Sequence, residues 1–381
     1  MMAEQIFTNA RIVLADDVIE GTISVEDGFI TAIDTGASRN GAAIDLQGDY
    51  LMPGFVELHT DNLEKHMTPR PKAEWPPVSA VIAHDGQMAM NGITTVLDAM
   101  GLGDVNQGSA RMARLNDMID GIGEAQAKNL LKAEHFLHLR CEVSYPDLPT
   151  VLDCQIGNPH IRMLSVMDHT PGQRQFVSLD AYYTYYQGKY GLSDGEMKAF
   201  IESRQRDHER HSEKHRKLVV ELARLHGIVL ASHDDATVDH VAEAVEDGIR
   251  VAEFPTTVEA AKASHDAGLQ VLMGGPNIVR GKSHSGNVSA RELARLGYLD
   301  VISSDYVPHS LLFSALQLVD EFEDITLPHA IRLISKTPAE SIGLADRGEL
   351  SVGKRADLVH VHHTPHHPVI RGVWSKGRRI G

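Results

Sequence analysis

The stretch Leu51-Met-Pro-Gly-Phe-Val-Glu-Leu-His-Thr-Asp61 decides the reading of this chain. Leu51, Phe55, Val56 and Leu58 form an apolar run, and Pro53-Gly54 punctuates its start. The pattern predicts a buried strand ending on a His-x-Asp pair, His59 and Asp61. Residues two apart in a strand share a face. An imidazole and a carboxylate at one strand end make half of a divalent-metal site, and a metal would set the class of chemistry.

Working outward, the chain alternates strand and helix signals. Strand candidates are Gly54–His59, Thr94–Ala99, His135–Val143, Ile161–Asp168, Ile228–His233, Arg250–Glu253, Gln270–Gly274 and Val301–Asp305. Helical stretches between them include Ser79–Asn91, Ala110–Ala133, Asp194–His226, Val258–Ala267 and Ala290–Leu299. This rhythm over roughly 290 residues predicts a (β/α)8 barrel. The rival, an open doubly wound sheet, would gather polar residues at one switch point; here they cluster at strand C-terminal ends around the whole set. Residues 5–50 read as short strands, and Ala356–His362 and Pro368–Trp374 resemble them. Short strands at either end cannot bury a core separately. The expected fold class is therefore α/β: a TIM-like (β/α)8 barrel over residues 54–347, with a small β-sandwich domain built from 1–53 and 348–381.

Composition narrows the partners. The 381 residues are 42% hydrophobic and 23% charged, as expected of a soluble globular protein. No apolar run is long enough to span a bilayer. The first residues lack a basic-then-apolar leader, and Cys141 and Cys154 are too few for a disulfide framework. A cytoplasmic location is expected. A net charge of −16 argues against nucleic acid. It leaves room for a small anion in a locally basic or metal-loaded pocket.

The strand ends collect the candidate chemistry: His59 and Asp61, Asp98, Arg140 and Glu142, Asp168 and His169, His233 with Asp234 and Asp235, Glu253, and Asp305 with His309. In a barrel these converge on one mouth, and such donors suit zinc or a similar ion, one or two per chain. Asp98 reads as a structural cap, and Asp234 and Asp235 as caps of the following helix. His135 and His138 read as satisfied strand histidines. Glu253 reads equally as ligand or as anchor for a basic side chain. His208, His211 and His215 share one face of a charged helix, read as solvated. Cations form a second constellation: Lys65, Arg70 and Lys72, then Arg162 and Arg174, then Arg280 and Lys282 in a Gly-rich loop with His284. No Walker lysine spacing is present; together these loops suggest a multiply charged anion such as a polyphosphate. The aromatic stretch within 168–193 is placed as a lid.

Pro53-Gly-Phe-Val-Glu-Leu-His59, Gly92-Ile-Thr-Thr-Val96 and Gly353-Lys-Arg-Ala-Asp-Leu-Val359 resemble the recurrent stretches of the amidohydrolase superfamily. Glu57-Leu-His-Thr-Asp-Asn-Leu-Glu-Lys65, Met167-Asp-His-Thr-Pro-Gly-Gln-Arg-Gln-Phe176, Ala231-Ser-His-Asp-Asp-Ala236 and Pro276-Asn-Ile-Val-Arg-Gly281 resemble, within it, the pyrophosphate-releasing branch of the carbon–phosphorus lyase route for phosphonate use. That resemblance implies metal-dependent hydrolysis of α-D-ribose 1-methylphosphonate 5-triphosphate to the 5-phosphate and pyrophosphate. It carries over His59, Asp61, Glu142, His233 and Asp305 as metal ligands; Glu253, where the superfamily commonly has a histidine, carries over poorly and stays a further candidate ligand, and Asp305 is expected to act as general base as well. Lys65, Arg70, Arg140, Arg174, Arg280, Lys282 and His284 would hold substrate. Zn²⁺ is the leading ion, with Mn²⁺ or Mg²⁺ as harder choices. The chain departs from the superfamily's usual pattern with His-x-Asp for His-x-His, Glu253 for a histidine, and no strand-four lysine. Two other readings are a hydrolase of cyclic amide C–N bonds and a non-catalytic scaffold for phosphonate processing; a homo-oligomer is compatible with all three.

Overall fold

The structure, a computed structural model, describes residues 4–104, 110–174, 182–183, 187, 193–281, 287–364 and 367–381. The N-terminal strands are β1 (Gln5–Val13), β2 (Val18–Glu26), β3 (Phe29–Thr35), β4 (Ile44–Asp45) and β5 (Tyr50–Pro53). The chain then enters β6 (Phe55–Thr60), β7 (Ile93–Leu102), β8 (Glu134–Glu142), β9 (Ile161–Met167), β10 (Val229–His233), β11 (Val251–Glu253), β12 (Gln270–Gly274) and β13 (Val301–Ser303). It closes with β14 (Leu358–His363), β15 (Pro368–Ser375) and β16 (Arg378–Arg379).

Strands β6 to β13 lie side by side in sequence order, all parallel. The ring shuts where Thr60 bridges Asp305: the Asp305 amide donates to the His59 carbonyl and the Asp61 amide to the Asp305 carbonyl, each at 3.1 Å. Every residue of β6 and β7 is buried, Glu57 and Asp98 included, as in parallel strands covered on both faces. The expected barrel is present. Strands from both termini form the separate, mostly antiparallel sheet, in the order β16-β15-β14-β5-β1-β2-β3. Phe7 and Trp374, from opposite ends of the chain, meet edge to face at 4.9 Å in its core.

The opening stretch divides between the two sheets. Tyr50–Pro53 pairs with β1 and β14, and Phe55–Thr60 with β7. The changeover is at Gly54, where a Cβ would collide with Thr94 and Asp357. Below the barrel, Arg347 and Arg355 converge on Glu134 at 2.6 and 2.5 Å, and Arg355 also holds Asp357 at 3.0 Å. These pairs tie the terminal sheet to the start of β8.

Three local expectations are corrected. The helix Asp194–His226 is not solvated all round: Arg204, His215, Arg216, Val219, Val220 and Ala223 are buried. His215 donates to the Val143 carbonyl at 3.0 Å and His208 pairs with Asp168 at 2.6 Å. Hydrogen bonding lets imidazoles enter an interface that periodicity reads as polar. Asp98 caps nothing; it is fully buried between His84 and His135. Thr237, rather than Asp234 or Asp235, caps the helix Val238–Asp247. In the aromatic stretch, Tyr182 is buried beside Met197 and Phe200, and Tyr183 donates to Asp194 at 2.6 Å. Most of the rest of the stretch placed as a lid lies outside the described residues.

Glu57 cross-links the barrel seam. Its carboxylate accepts from the His59 amide at 2.8 Å, the Ser303 hydroxyl at 2.6 Å and the Ser304 amide at 2.7 Å. Burial pushes its pKa up to about 7, against the pull of these donors. Glu57→Gln turns an amide NH₂ toward one of them. The expected loss is about 1–3 kcal/mol, read as a lower denaturant midpoint at unchanged m-value.

Candidate metal centre

The barrel brings the strand-end donors together. His59, Asp61 and Asp305 each place a ligand atom within 4.8 Å of the others, and so do His169, His233 and Asp234. His59 and His233 bridge the two groups, with ring centres 5.9 Å apart. Phe254 packs edge-on against both rings, at 5.0 and 5.3 Å. Its φ of +53° is a left-handed value uncommon for a bulky residue.

Each bridging imidazole is anchored at Nδ1 by a buried carboxylate. His59 Nδ1 meets Glu253 Oε1 at 2.7 Å, and His233 Nδ1 meets Asp234 Oδ2 at 2.8 Å. A carboxylate on one ring nitrogen fixes the tautomer and frees the other for a metal. His233 Nε2 is buried and has no hydrogen-bond partner among the described residues. An orphaned imidazole nitrogen beside paired carboxylates is the donor set that a divalent cation completes.

Glu253 is held from its other side too. The Ser165 hydroxyl donates to Oε2, and His138 Nε2 lies 3.6 Å away while its Nδ1 donates to the Leu58 carbonyl at 3.1 Å. Burial would raise the Glu253 carboxyl, but the His138 and His59 rings outweigh it and hold it well below the carboxylate range.

Asp61 and Asp305 face each other at the mouth. Arg140 donates to both Asp61 oxygens, at 2.9 and 3.0 Å. Burial, and then the Asp61 charge, push Asp305 up to about 7, while Arg140 and Lys65 pull it down. Glu142 accepts from Ser144 Oγ at 2.7 Å and pairs with His169 Nδ1 at 2.6 Å. Lys65 is exposed, donates to the Tyr306 carbonyl and lies 5.3 Å over the Tyr306 ring. Arg70 and Arg280 are exposed. Arg174 is engaged by Asp235 and by Glu243, the latter at 2.7 Å. Lys282 and His284 lie outside the described residues.

Of the expected ligands, the structure thus gathers His59, Asp61 and Asp305 in one group and places His233 beside His59. Glu142 is on His169, and Glu253 on the back of His59. Reading the strand ends overlooked Glu57, Ser165 and Phe254. A carboxylate inside an apolar strand was a visible signal for Glu57; nothing in the sequence pointed to the other two.

Metal ligands must shed their protons. With Asp305 protonated up to about pH 7, protons compete with the cation below that value. The apparent affinity for Zn²⁺ or Mn²⁺ should therefore weaken as pH falls through 7, with proton release on binding. Calorimetry in buffers of different ionisation enthalpy reads both.

The sequence matches the amidohydrolase family (Amidohydro_3) over residues 86–380. A protein of Escherichia coli (strain K12), alpha-D-ribose 1-methylphosphonate 5-triphosphate diphosphatase, is 47% identical over 376 residues, 98% of this chain and 100% of that protein. Among solved structures, 5-methylcytosine deaminase from Klebsiella pneumoniae superposes with a TM-score of 0.67 at 14% identity, over 99% of this chain and 98% of that one. N-acetylglucosamine-6-phosphate deacetylase from Pasteurella multocida gives 0.63 at 16% identity, over 99% of both chains. The two structures share the fold; the family match and the full-length relative go further, and by them this chain belongs to the amidohydrolase family.

Proposed function

We propose that this chain hydrolyses α-D-ribose 1-methylphosphonate 5-triphosphate to the 5-phosphate and pyrophosphate. The observation that carries the reading is the 47% identity, over 98% of the chain, to a diphosphatase named for that substrate. The mouth supports it. Carboxylates and imidazoles stand beside the cations Arg140 and Lys65, an arrangement that a neutral cyclic amide does not call for. The deaminase and deacetylase among the fold neighbours are 14% and 16% identical, so C–N hydrolysis has no observation of its own.

His59, Asp61, Asp305 and His233 would hold a divalent cation, Zn²⁺ or the harder Mn²⁺ or Mg²⁺. When bound, it supplies Lewis-acid polarisation of water and phosphoryl oxygens. The chain's own residues do the rest. Asp305 takes a proton from the attacking water as general base. The water oxygen bonds to the α-phosphorus as the bond to the departing pyrophosphate oxygen breaks. Lys65 and Arg140, with the exposed Arg70 and with Arg280, which ends the helix Gly275–Arg280 rather than lying in a loop, offset the charge on the leaving pyrophosphate. Glu253 serves as orienter of His59, and Glu142 as the carboxylate that sets His169.

Phosphorus NMR of the protein with the triphosphate, with and without divalent metal and chelator, tests the reading. Metal-dependent pyrophosphate release is expected; no turnover with any divalent metal would overturn it. Asp305→Asn should lower turnover by roughly 10²–10⁴-fold. Near-normal turnover with metal bound would remove the general-base role.

A further inference from the structure

We propose that Asn62 is a positioning residue for the Asp61 turn, tethered by a buried polar chain that runs behind the barrel wall. The inference rests on reading His59, Asp61 and Asp305 as cation ligands. Asn62 follows Asp61 directly and is 2% exposed. It stands at the N-cap of the helix Leu63–Met67, yet its side chain makes no cap hydrogen bond. An asparagine there ordinarily satisfies the first turn of its own helix. Its amide lies mainly against the helix Pro77–Met90, donating to His84 Nδ1 at 3.0 Å and Gln87 Oε1 at 2.9 Å, with His66 Nε2 of its own helix further away at 3.3 Å.

From His84 the chain is continuous. Because His84 Nδ1 accepts from Asn62, its proton is on Nε2, which donates to Asp98 Oδ1 at 2.7 Å. The other Asp98 oxygen takes His135 Nδ1–H at 2.7 Å, and His135 Nε2–H reaches Asp85 Oδ1 at 3.2 Å. Asp85 also accepts the amides of Lys132 and Ala133, at 2.9–3.0 Å, where the backbone leads into β8. Both His135 nitrogens donate to carboxylates, so the ring is an imidazolium. Its pKa rises to about 9 because Asp98 and Asp85 outweigh the cost of burial. His84, Asp98 and His135 also have metal-ligand spacing, but both ring nitrogens of each histidine already have hydrogen-bond partners, which makes the group a closed hydrogen-bond chain.

Asn62 gives this chain a direct side-chain connection toward the mouth, beside the His66–Gln87 contact at 3.0 Å. Asp85 and Asp98 are tied to the helix Pro77–Met90 and to β7 and β8, the rigid parts of the wall. Asn62 is the link between them and the turn carrying Asp61. On the mouth side that turn is gripped by Arg140 and by the Thr60 hydroxyl, which donates to the Asp305 carbonyl at 2.9 Å. With the tether cut, Asp61 keeps its chemistry and loses its fixed place.

The test compares Asn62→Ser, Asp61→Asn and Asp85→Asn in the full chain, reading the Zn²⁺ dissociation constant by chelator competition alongside thermal unfolding. Serine is a good N-cap, so it preserves the helix start while falling short of His84. Asn62→Ser should weaken Zn²⁺ binding about tenfold, the lower end for losing a group that supports a ligand, with little change in unfolding temperature. Asp85→Asn, at the far end, should lower the unfolding temperature and change affinity less than about twofold. Wild-type affinity in Asn62→Ser while Asp61→Asn loses it would overturn the tether alone. Equal loss in Asp85→Asn and Asn62→Ser would reduce it to general stability. Unchanged affinity in Asp61→Asn would overturn the ligand reading beneath it.

Discussion

Closure of the barrel is the constraint on which the rest depends. The Thr60–Asp305 bridge makes the first and last strands neighbours. It brings His59 and Asp61 against Asp305 across some 245 residues of chain. At the seam, Glu57, Ser303 and the backbone amides of His59 and Ser304 add hydrogen bonds to the apolar packing of Val56, Leu58 and Val301. A buried carboxylate held by hydrogen-bond donors is costly, and this one lies two residues before His59 on the same strand. The backbone repeats the pattern: Asp234, Phe254 and Asp305, each just beyond a barrel strand, adopt positive φ. Such conformations concentrate at functional sites, where surrounding structure over-determines them.

Within this frame the protein manages charge by division of labour. Carboxylates far from solvent, Glu253 and Asp234, are held ionised by imidazoles and set those rings. Carboxylates at the mouth, Asp61 and Asp305, repel each other, and the raised Asp305 pKa measures that repulsion together with burial. A net charge of −16 is therefore compatible with an anionic substrate: Lys65 and Arg140 act locally at the mouth, where distance counts for more than the sum over the surface.

Much of this was legible in the sequence. The barrel followed from apolar runs separated by helical periods, and strand boundaries such as Gln270–Gly274 needed no adjustment. His59, Asp61 and Asp305 were readable because strand C-terminal ends point at one mouth. What escaped had a common cause. The apolar run from Leu51 to Leu58 read as one strand, since such a run carries no mark of which sheet it joins, while the domain boundary at 53/54 already parted Leu51 from Phe55. The crowding at Gly54 that separates them arises from Thr94 and Asp357, distant in sequence. Asp98 looked like a cap and His215 like a solvated side chain because burial of a polar group depends on partners such as His84 and Val143. Glu253 was ambiguous for the same reason, its role being set by Ser165 and His59.

The terminal sheet carries a consequence for biosynthesis. β5 takes β1 on one side and β14 on the other, and β14 is made only after the whole barrel. At ordinary ribosomal speeds of roughly 5–20 residues per second, the edge of β5 waits roughly 15–60 s for its partner. Throughout that interval Leu51 and Met52, wholly buried in the finished protein, border an unpaired strand edge, the kind of surface that recruits foreign strands. The nascent chain is thus open to misassociation along this edge until β14 has been made and paired.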